Sequence, residues 1–126
     1  MTRINAGIPP YTLSTKHLLA EHREIKRIPN TIRSGKANLT NIPTKFNLGP
    51  GHVKFFYNKQ LFLYTRYKEL LTECKKRNFK VTDYSSAWDT LNQTDLWNDW
   101  TPEQIDIDKI KERILLRSPK FSIIIT

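Results

Sequence analysis

The residues best suited to chemistry lie in one segment of the chain, residues 17–27. At 100° per residue, a helix there places Leu18 and Ile25 on one face and the basic side chains on another. Glu24 falls at the seam between these faces, with Arg27 one turn further on. A carboxylate partly desolvated in this way suits acid–base work beside a docked polyanion. The helix wheel alone favours an ordinary surface carboxylate paired with Arg27, so both interpretations stay open.

The other reactive residue types do not form a recognised site. His17 and His22 are five residues apart, which misses the i, i+4 spacing of two metal ligands on a helix, and His52 is remote in sequence. The only cysteine is Cys74, which excludes an intramolecular disulfide and a cysteine-rich zinc site. Neither a nucleophile elbow nor a phosphate-binding glycine loop is present. The sequence therefore predicts no metal and no cofactor.

Charge is distributed unevenly along the chain. Residues 1–80 hold 16 basic and 4 acidic side chains, whereas residues 81–126 hold 5 basic and 8 acidic ones. Such one-sided positive charge suits nucleic acid, and a solvated basic surface is an equal alternative on charge alone. A single cysteine, no secretory signal and no apolar run of about 18 residues predict a cytoplasmic protein outside the membrane. We expect a monomer.

These residues must be positioned by a small helical fold. The 126 residues predict one domain over 1–126. We predict a compact all-α domain of three main helices, with an extended N-terminal arm over residues 1–13 and long loops. The aromatic segment 52–57 suits either a short strand or the approach to the second helix. Three tryptophans in the loop that follows that helix are predicted to be core residues or loop anchors: Trp88, Trp97 and Trp100.

Capping and periodicity give the bounds of the predicted helices. The first covers residues 14–28, capped by Ser14 or Thr15 and ended or kinked by Pro29. The second is capped by Asn58, runs to about Arg77 and is followed by left-handed Asn78. Its apolar stripe comprises Leu63, Tyr67, Leu70, Leu71 and Cys74.

The third predicted helix begins with a capping signal. The segment Thr101-Pro102-Glu103-Gln104 reads as a capping box with proline at the first helical position, although the helix can also begin only at Asp106. Ser118-Pro119 would stop it. Its buried face is predicted to carry Ile107, Ile110 and Ile114.

Three blocks in the right order resemble the pyrimidine-dimer DNA glycosylases of the phage endonuclease V type. The blocks are Met1-Thr2-Arg3-Ile4-Asn5, then His17-Leu18-Leu19-Ala20-Glu21-His22-Arg23-Glu24-Ile25, then Leu48-Gly49-Pro50-Gly51-His52-Val53-Lys54-Phe55-Phe56-Tyr57. The resemblance covers residues 1–79 well and residues 80–117 more weakly.

The resemblance implies a DNA repair glycosylase that is also an abasic-site lyase. The implied substrate is double-stranded DNA that contains abasic sites or damaged bases, above all UV pyrimidine dimers. Removal of Met1 would expose the α-amine of Thr2 as the nucleophile. An α-amine is more often neutral near pH 7 than a lysine amine, and neighbouring arginines would lower its pKa further. The amine would displace the base from C1′, and Glu24 would take the C2′ proton for β-elimination.

By motif position, the implied DNA contacts are Arg3, Arg23 and Arg27, and the weaker alignment of the third helix adds Lys109 and Arg113, mostly to phosphates. His17 is expected to be a structural or phosphate-contacting histidine and is counted with the DNA contacts. The phage prototype has an aromatic tail used in lesion recognition, whereas residues 120–126 here contain one aromatic residue. The sequence therefore leaves the preferred lesion open. Two alternatives remain: a non-catalytic or damage-sensing DNA-binding protein on the same fold, and a metal-independent nuclease that uses His17 or His52.

Overall fold

The computed structural model describes residues 2–117, and their regular structure is helical without a strand, which confirms the predicted all-α class. The five α-helices are α1 (Thr15–Glu24), α2 (Arg27–Arg33), α3 (His52–Phe55), α4 (Gln60–Lys76) and α5 (Gln104–Arg117). Short 3-10 helices cover Pro10–Thr12, Phe56–Asn58, Ser85–Trp88 and Leu91–Gln93. Met1, the stop at Ser118-Pro119 and the tail at 120–126 lie outside the described residues.

The first predicted helix is in fact two helices. Ser14 caps α1 as predicted, because its Oγ accepts a hydrogen bond from the His17 N–H at 3.3 Å. The prediction of one helix to residue 28 is wrong, since α1 ends at Glu24 and α2 begins at Arg27. Pro29 is the third residue of α2, where a missing N–H costs little because the first N–H groups of a helix have no partner within it.

The longest helix, α4, follows the predicted pattern closely. All five residues of its apolar stripe are buried, and Asn78 has a φ of 62°, as expected for the left-handed residue after the helix. The predicted N-cap is wrong, because Asn58 ends a 3-10 helix and its Oδ1 accepts from Lys59 Nζ at 2.8 Å. The helix therefore begins at Gln60.

The third helix, α5, begins between the two predicted starts. Its buried residues are Ile110 and Ile114, and Ile107 packs against the core, which confirms the predicted face. The predicted capping box is wrong: Asp106 Oδ2 accepts from the Glu103 N–H at 3.0 Å, so the cap forms two residues later and Pro102 stays outside the helix.

Helix α4 is the centre of the fold. It packs against α1 and against all four 3-10 helices. Buried His22 of α1 is 3.1 Å from the hydroxyl of Tyr67 on α4, and that hydroxyl accepts from the Tyr84 N–H at 2.6 Å. Burial raises the pKa of Tyr67 to about 12, so its hydroxyl stays protonated. None of the described helices is long and apolar enough to cross a bilayer.

The three tryptophans are core residues or loop anchors, as predicted. Trp88 is buried beside Tyr67, with ring centroids 5.1 Å apart. Trp97 lies against Tyr64 at 5.6 Å. Trp100 stacks on Phe46 and meets the aromatic residues of the segment 55–62 edge to face.

The N-terminal arm has no helix before Pro10, as predicted, but the prediction of an extended arm to residue 13 is wrong, because Pro10–Thr12 form a 3-10 helix. The arm also lies inside the fold. Ile4, Ala6 and Ile8 are at most 1% exposed. Gly7 turns the arm with a φ of +78°, and a Cβ there would lie 2.7 Å from Ile107 Cγ1. Glycine at this position therefore allows α5 to lie directly on the arm.

We expect Gly7→Ala to destabilise the protein by about 1–3 kcal/mol more than Gly35→Ala does, because overpacking adds to the backbone strain. Gly35 is the matched control, since its φ is +77° but nothing lies within 4 Å of its Cβ position. Urea unfolding of both variants measures the difference in the free energy of unfolding. Equal losses in the two variants would show that Ile107 can move aside.

Candidate active site

Three consecutive backbone N–H groups of the arm bond to side chains far away in sequence. The pairs are Arg3 with Glu24 Oε1 at 3.3 Å, Ile4 with His52 Nε2 at 3.1 Å, and Asn5 with Glu21 Oε2 at 3.2 Å. Two acceptors come from α1 and one from α3. The course of the arm just after Thr2 is therefore set by tertiary hydrogen bonds.

The acceptor of Asn5 belongs to a buried ion pair. Arg66 of α4 donates to both oxygens of Glu21, at 2.8 and 2.9 Å, and the two side chains are 4% and 1% exposed. Arg66 also donates to the Ile8 carbonyl. Sequence reasoning missed this pair, although an arginine three residues after Leu63 falls on the buried stripe of α4.

His52 holds the arm as a neutral hydrogen-bonding group. Its Nδ1–H donates to the Asn47 carbonyl at 2.9 Å, which leaves Nε2 to accept from Ile4. Burial lowers the pKa of His52 to about 4, so the ring is neutral near pH 7. This explains why a histidine that begins α3 can lie 5% exposed beneath the arm.

Glu24 is the last residue of α1, and its side chain is only 15% exposed. Besides accepting from the Arg3 N–H, it lies 3.8 Å from the Nη2 of Arg23, which is 56% exposed. An ion pair with so exposed a partner stabilises little. The ordinary surface carboxylate is therefore a poor description of Glu24, which faces a cavity between α1, α5 and the arm.

That cavity and a neighbouring groove meet at two arginines. The Glu24 cavity is lined by Arg3, Asn5, His17, Ala20, Glu21, Glu24, Arg113, Ile114 and Arg117. The groove is lined by Thr2 together with Arg3, residues 48–54, Tyr57 and Arg113. Arg3 and Arg113 line both, so the cavity and the groove share basic side chains.

The backbone nitrogen of Thr2 is close to Glu24. Only three bonds join it to the Arg3 nitrogen, so the two nitrogens are at most about 4 Å apart. Because the Arg3 nitrogen is 3.3 Å from Glu24 Oε1, the nitrogen of Thr2 lies at most about 7 Å from this oxygen.

Two further predicted residues line the cavity beside Glu24. His17 has its Nδ1 3.0 Å from Ser14 Oγ, and burial, followed by the charge of Lys16, lowers its pKa. Arg113 donates from Nη2 to Asn5 Oδ1 at 3.2 Å. Burial, followed by the charge of Arg3, lowers the pKa of Arg113 to about 10, which leaves it charged at pH 7.

The structure thus brings together five of the predicted residues: Thr2, Arg3, His17, Glu24 and Arg113. Arg23 joins them through its ion pair with Glu24. Arg27 is the first residue of α2, and Lys109 lies one turn before Arg113 on α5. Both side chains are exposed, and neither lines the Glu24 cavity or the Thr2 groove. Arg117, one turn after Arg113, lines the Glu24 cavity and was missed.

Among residues 2–117, no group of three histidine, cysteine, aspartate or glutamate side chains is arranged to hold a metal ion.

The chain was also compared with known families. A family model described as pyrimidine dimer DNA glycosylase matches residues 1–85, which is more than half of the chain. The match contains the arm, α1 and the whole of α4, and it ends before α5.

Because His52 titrates near pH 4 in the folded protein and near 6.5 when unfolded, the unfolded chain binds an extra proton between these values. We expect the free energy of unfolding to fall from pH 7 to pH 4, with His52 contributing on the order of 3 kcal/mol. His52→Gln keeps an acceptor for Ile4 without titrating. Urea unfolding at several pH values should therefore show a smaller loss in this variant, and parallel pH curves would contradict the role given to His52.

Proposed function

The chain belongs to the pyrimidine dimer DNA glycosylase family, and on that premise we propose that it is a bifunctional glycosylase and abasic-site lyase. Its substrate is double-stranded DNA that contains pyrimidine dimers or abasic sites. The observation that carries the proposal is the 3.3 Å hydrogen bond from the Arg3 N–H to Glu24, which ties a carboxylate to the start of the chain. A monomer is sufficient, because one chain supplies every residue of the site.

In the proposed reaction, removal of Met1 exposes the α-amine of Thr2. The amine attacks C1′ of the damaged nucleotide, the glycosidic bond breaks, and the base leaves with its electron pair and takes up a proton. Opening of the sugar ring gives an imine between Thr2 and C1′, which acidifies the C2′ proton. Glu24 takes that proton, a double bond forms between C2′ and C3′, and the 3′ phosphate leaves. Water then hydrolyses the imine and releases the protein.

The proximity of Thr2 and Glu24 supports the division of roles. A nucleophile and a base that the fold holds within about 7 Å of each other need little movement to act on one nucleotide. The side chains of Arg3 and Arg113 line both the Thr2 groove and the Glu24 cavity, and their positive charges suit the phosphates that flank a damaged nucleotide.

We propose the DNA contacts predicted from the sequence: Arg3, His17, Arg23, Arg27, Lys109 and Arg113. Most of them would hold phosphates and position the duplex without reading its sequence. Damaged DNA stacks poorly, so extruding a nucleotide from the duplex costs less at a lesion than elsewhere. This difference would supply part of the preference for damage.

Borohydride should trap a covalent adduct between the Met-free protein and abasic or UV-irradiated duplex DNA, because borohydride reduces an imine to a stable amine. Intact-mass measurement confirms the loss of Met1 before the assay. Acetylation of the Thr2 amine should abolish trapping. Glu24→Gln should retain DNA binding and lose strand cleavage by about 100-fold or more.

Glu73→Gln is the matched control for this substitution, because Glu73 pairs with Arg77 on α4 and lies outside the Glu24 cavity. It should cleave like the unaltered protein. Salt-sensitive DNA binding without any adduct would support a non-catalytic DNA-binding protein instead. Cleavage of undamaged strands after acetylation would support the nuclease alternative.

The salt dependence of binding tests whether the exposed face of α5 meets DNA. If Lys109 contacts a phosphate, Lys109→Ala should reduce the slope of log K against log salt concentration by about 0.9. Lys76→Ala is the control, because Lys76 is equally exposed at the end of α4 and lines a different groove. Equal slopes for the two variants would show that Lys109 does not contact a DNA phosphate.

A further inference from the structure

Asn5 is the point at which the N-terminal arm is tied to three helices. Its side chain uses both ends of the amide: Nδ2 donates to Glu21 Oε1 at 2.9 Å, and Oδ1 accepts from Arg113 Nη2 at 3.2 Å. Its backbone N–H donates to the other oxygen of Glu21. Because Glu21 is also bonded to Arg66, Asn5 joins α1, α4 and α5 while remaining 4% exposed.

The other interactions near Thr2 fix the chain start less completely than Asn5 does. The Ile4 N–H bond to His52, at 3.1 Å, is directional but holds the arm at a single point. Burial of Ile4 and Ala6 keeps the arm in the core, but hydrophobic attraction has no direction. The Arg3–Glu24 bond is 3.3 Å long, at the upper end for an N–H···O bond, so it holds the arm less firmly than the 2.9 Å bond from Asn5 Nδ2 to Glu21. The bonds of Asn5 to Glu21 and Arg113 are directional and anchored on rigid helices.

On the premise of the proposed function, we propose that Asn5 is a positioning residue for the reaction. It clamps the arm between Glu21 and Arg113, so that the Thr2 amine faces the reacting C1′ atom beside Glu24. Asn5 itself touches neither the substrate nor the reacting atoms. Part of the role of Arg113 is then to hold Asn5 and the arm, in addition to any contact with DNA.

The test compares Asn5→Ala with the unaltered protein in single-turnover borohydride trapping on an abasic duplex, with protein in excess and Met1 removal confirmed by mass. The variant loses both side-chain bonds but keeps its backbone bond to Glu21. We expect the trapping rate of the bound complex to fall about 100-fold, the effect of a displacement of about 1 Å at a reacting centre. The dissociation constant for DNA should change little.

Two further variants separate positioning from general destabilisation. Leu91→Ala opens a cavity in the 3-10 helix at 91–93, away from the arm, and should trap at the unaltered rate under conditions where it is folded. Asn5→Asp keeps an acceptor for Arg113 but sets a second carboxylate against Glu21, so its rate should also fall. The pH midpoint of trapping should shift in both Asn5 variants and stay unchanged in Leu91→Ala, because only the former move the amine relative to its charged neighbours.

The proposal is overturned if Asn5→Ala traps at the unaltered rate with an unaltered pH midpoint, or if Leu91→Ala shows the same losses. Failure of the proposed function is a different result, in which the unaltered protein forms no adduct at all. In that event, the rate at which a small reagent acylates the Thr2 amine, measured without DNA, still tests whether Asn5 positions this amine. A shifted pH dependence of labelling in Asn5→Ala supports the clamp, and an unchanged one rejects it.

Discussion

The rest of the site depends on the buried ion pair between Glu21 and Arg66. Two charges removed from water are tolerated only when their hydrogen-bonding groups find partners, and loss of one partner commonly costs about 3–5 kcal/mol. Here the partners of the pair include the backbone N–H and amide group of Asn5 and the Ile8 carbonyl. Polar groups of the arm therefore take the place of water around the two charges. It must follow a single course between α1 and α4 for either charge to remain buried.

This constraint explains several features of the arm that otherwise look unrelated. Gly7 has a positive φ because the chain turns between Asn5 and Ile8 while α5 lies against it. His52 must stay neutral, because its protonation would replace the acceptor of the Ile4 N–H with a donor. The apolar side chains of the arm complete the core, and its polar backbone groups are matched one by one to α1, α3 and α5.

Local patterns predicted the helices better than the site. The Ser14 cap and the buried stripe of α4 depend on residues within a few positions of one another, and both are confirmed. The break between α1 and α2 was missed because a proline at position 29 suggests the end of a helix. Proline is also allowed in the first turn of a helix, which is where Pro29 lies in α2. The buried hydrogen-bonded group of Asn5, Glu21 and Arg66 joins residues 16 to 61 positions apart in the sequence. Helical periodicity carries no information about such distant pairs. Glu24 was located by motif, but its hydrogen bond to the arm required the fold.

The position of Glu24 at the end of α1 connects the scaffold to the proposed chemistry. The carbonyl end of a helix carries partial negative charge and disfavours a carboxylate there. The Arg3 N–H and the guanidinium of Arg23 oppose this effect from the arm and from α1. A DNA phosphate that engaged Arg23 would therefore lie beside the proposed base. In the proposed reaction, phosphate docking and proton abstraction would then take place at one junction, between the end of α1 and the basic arm.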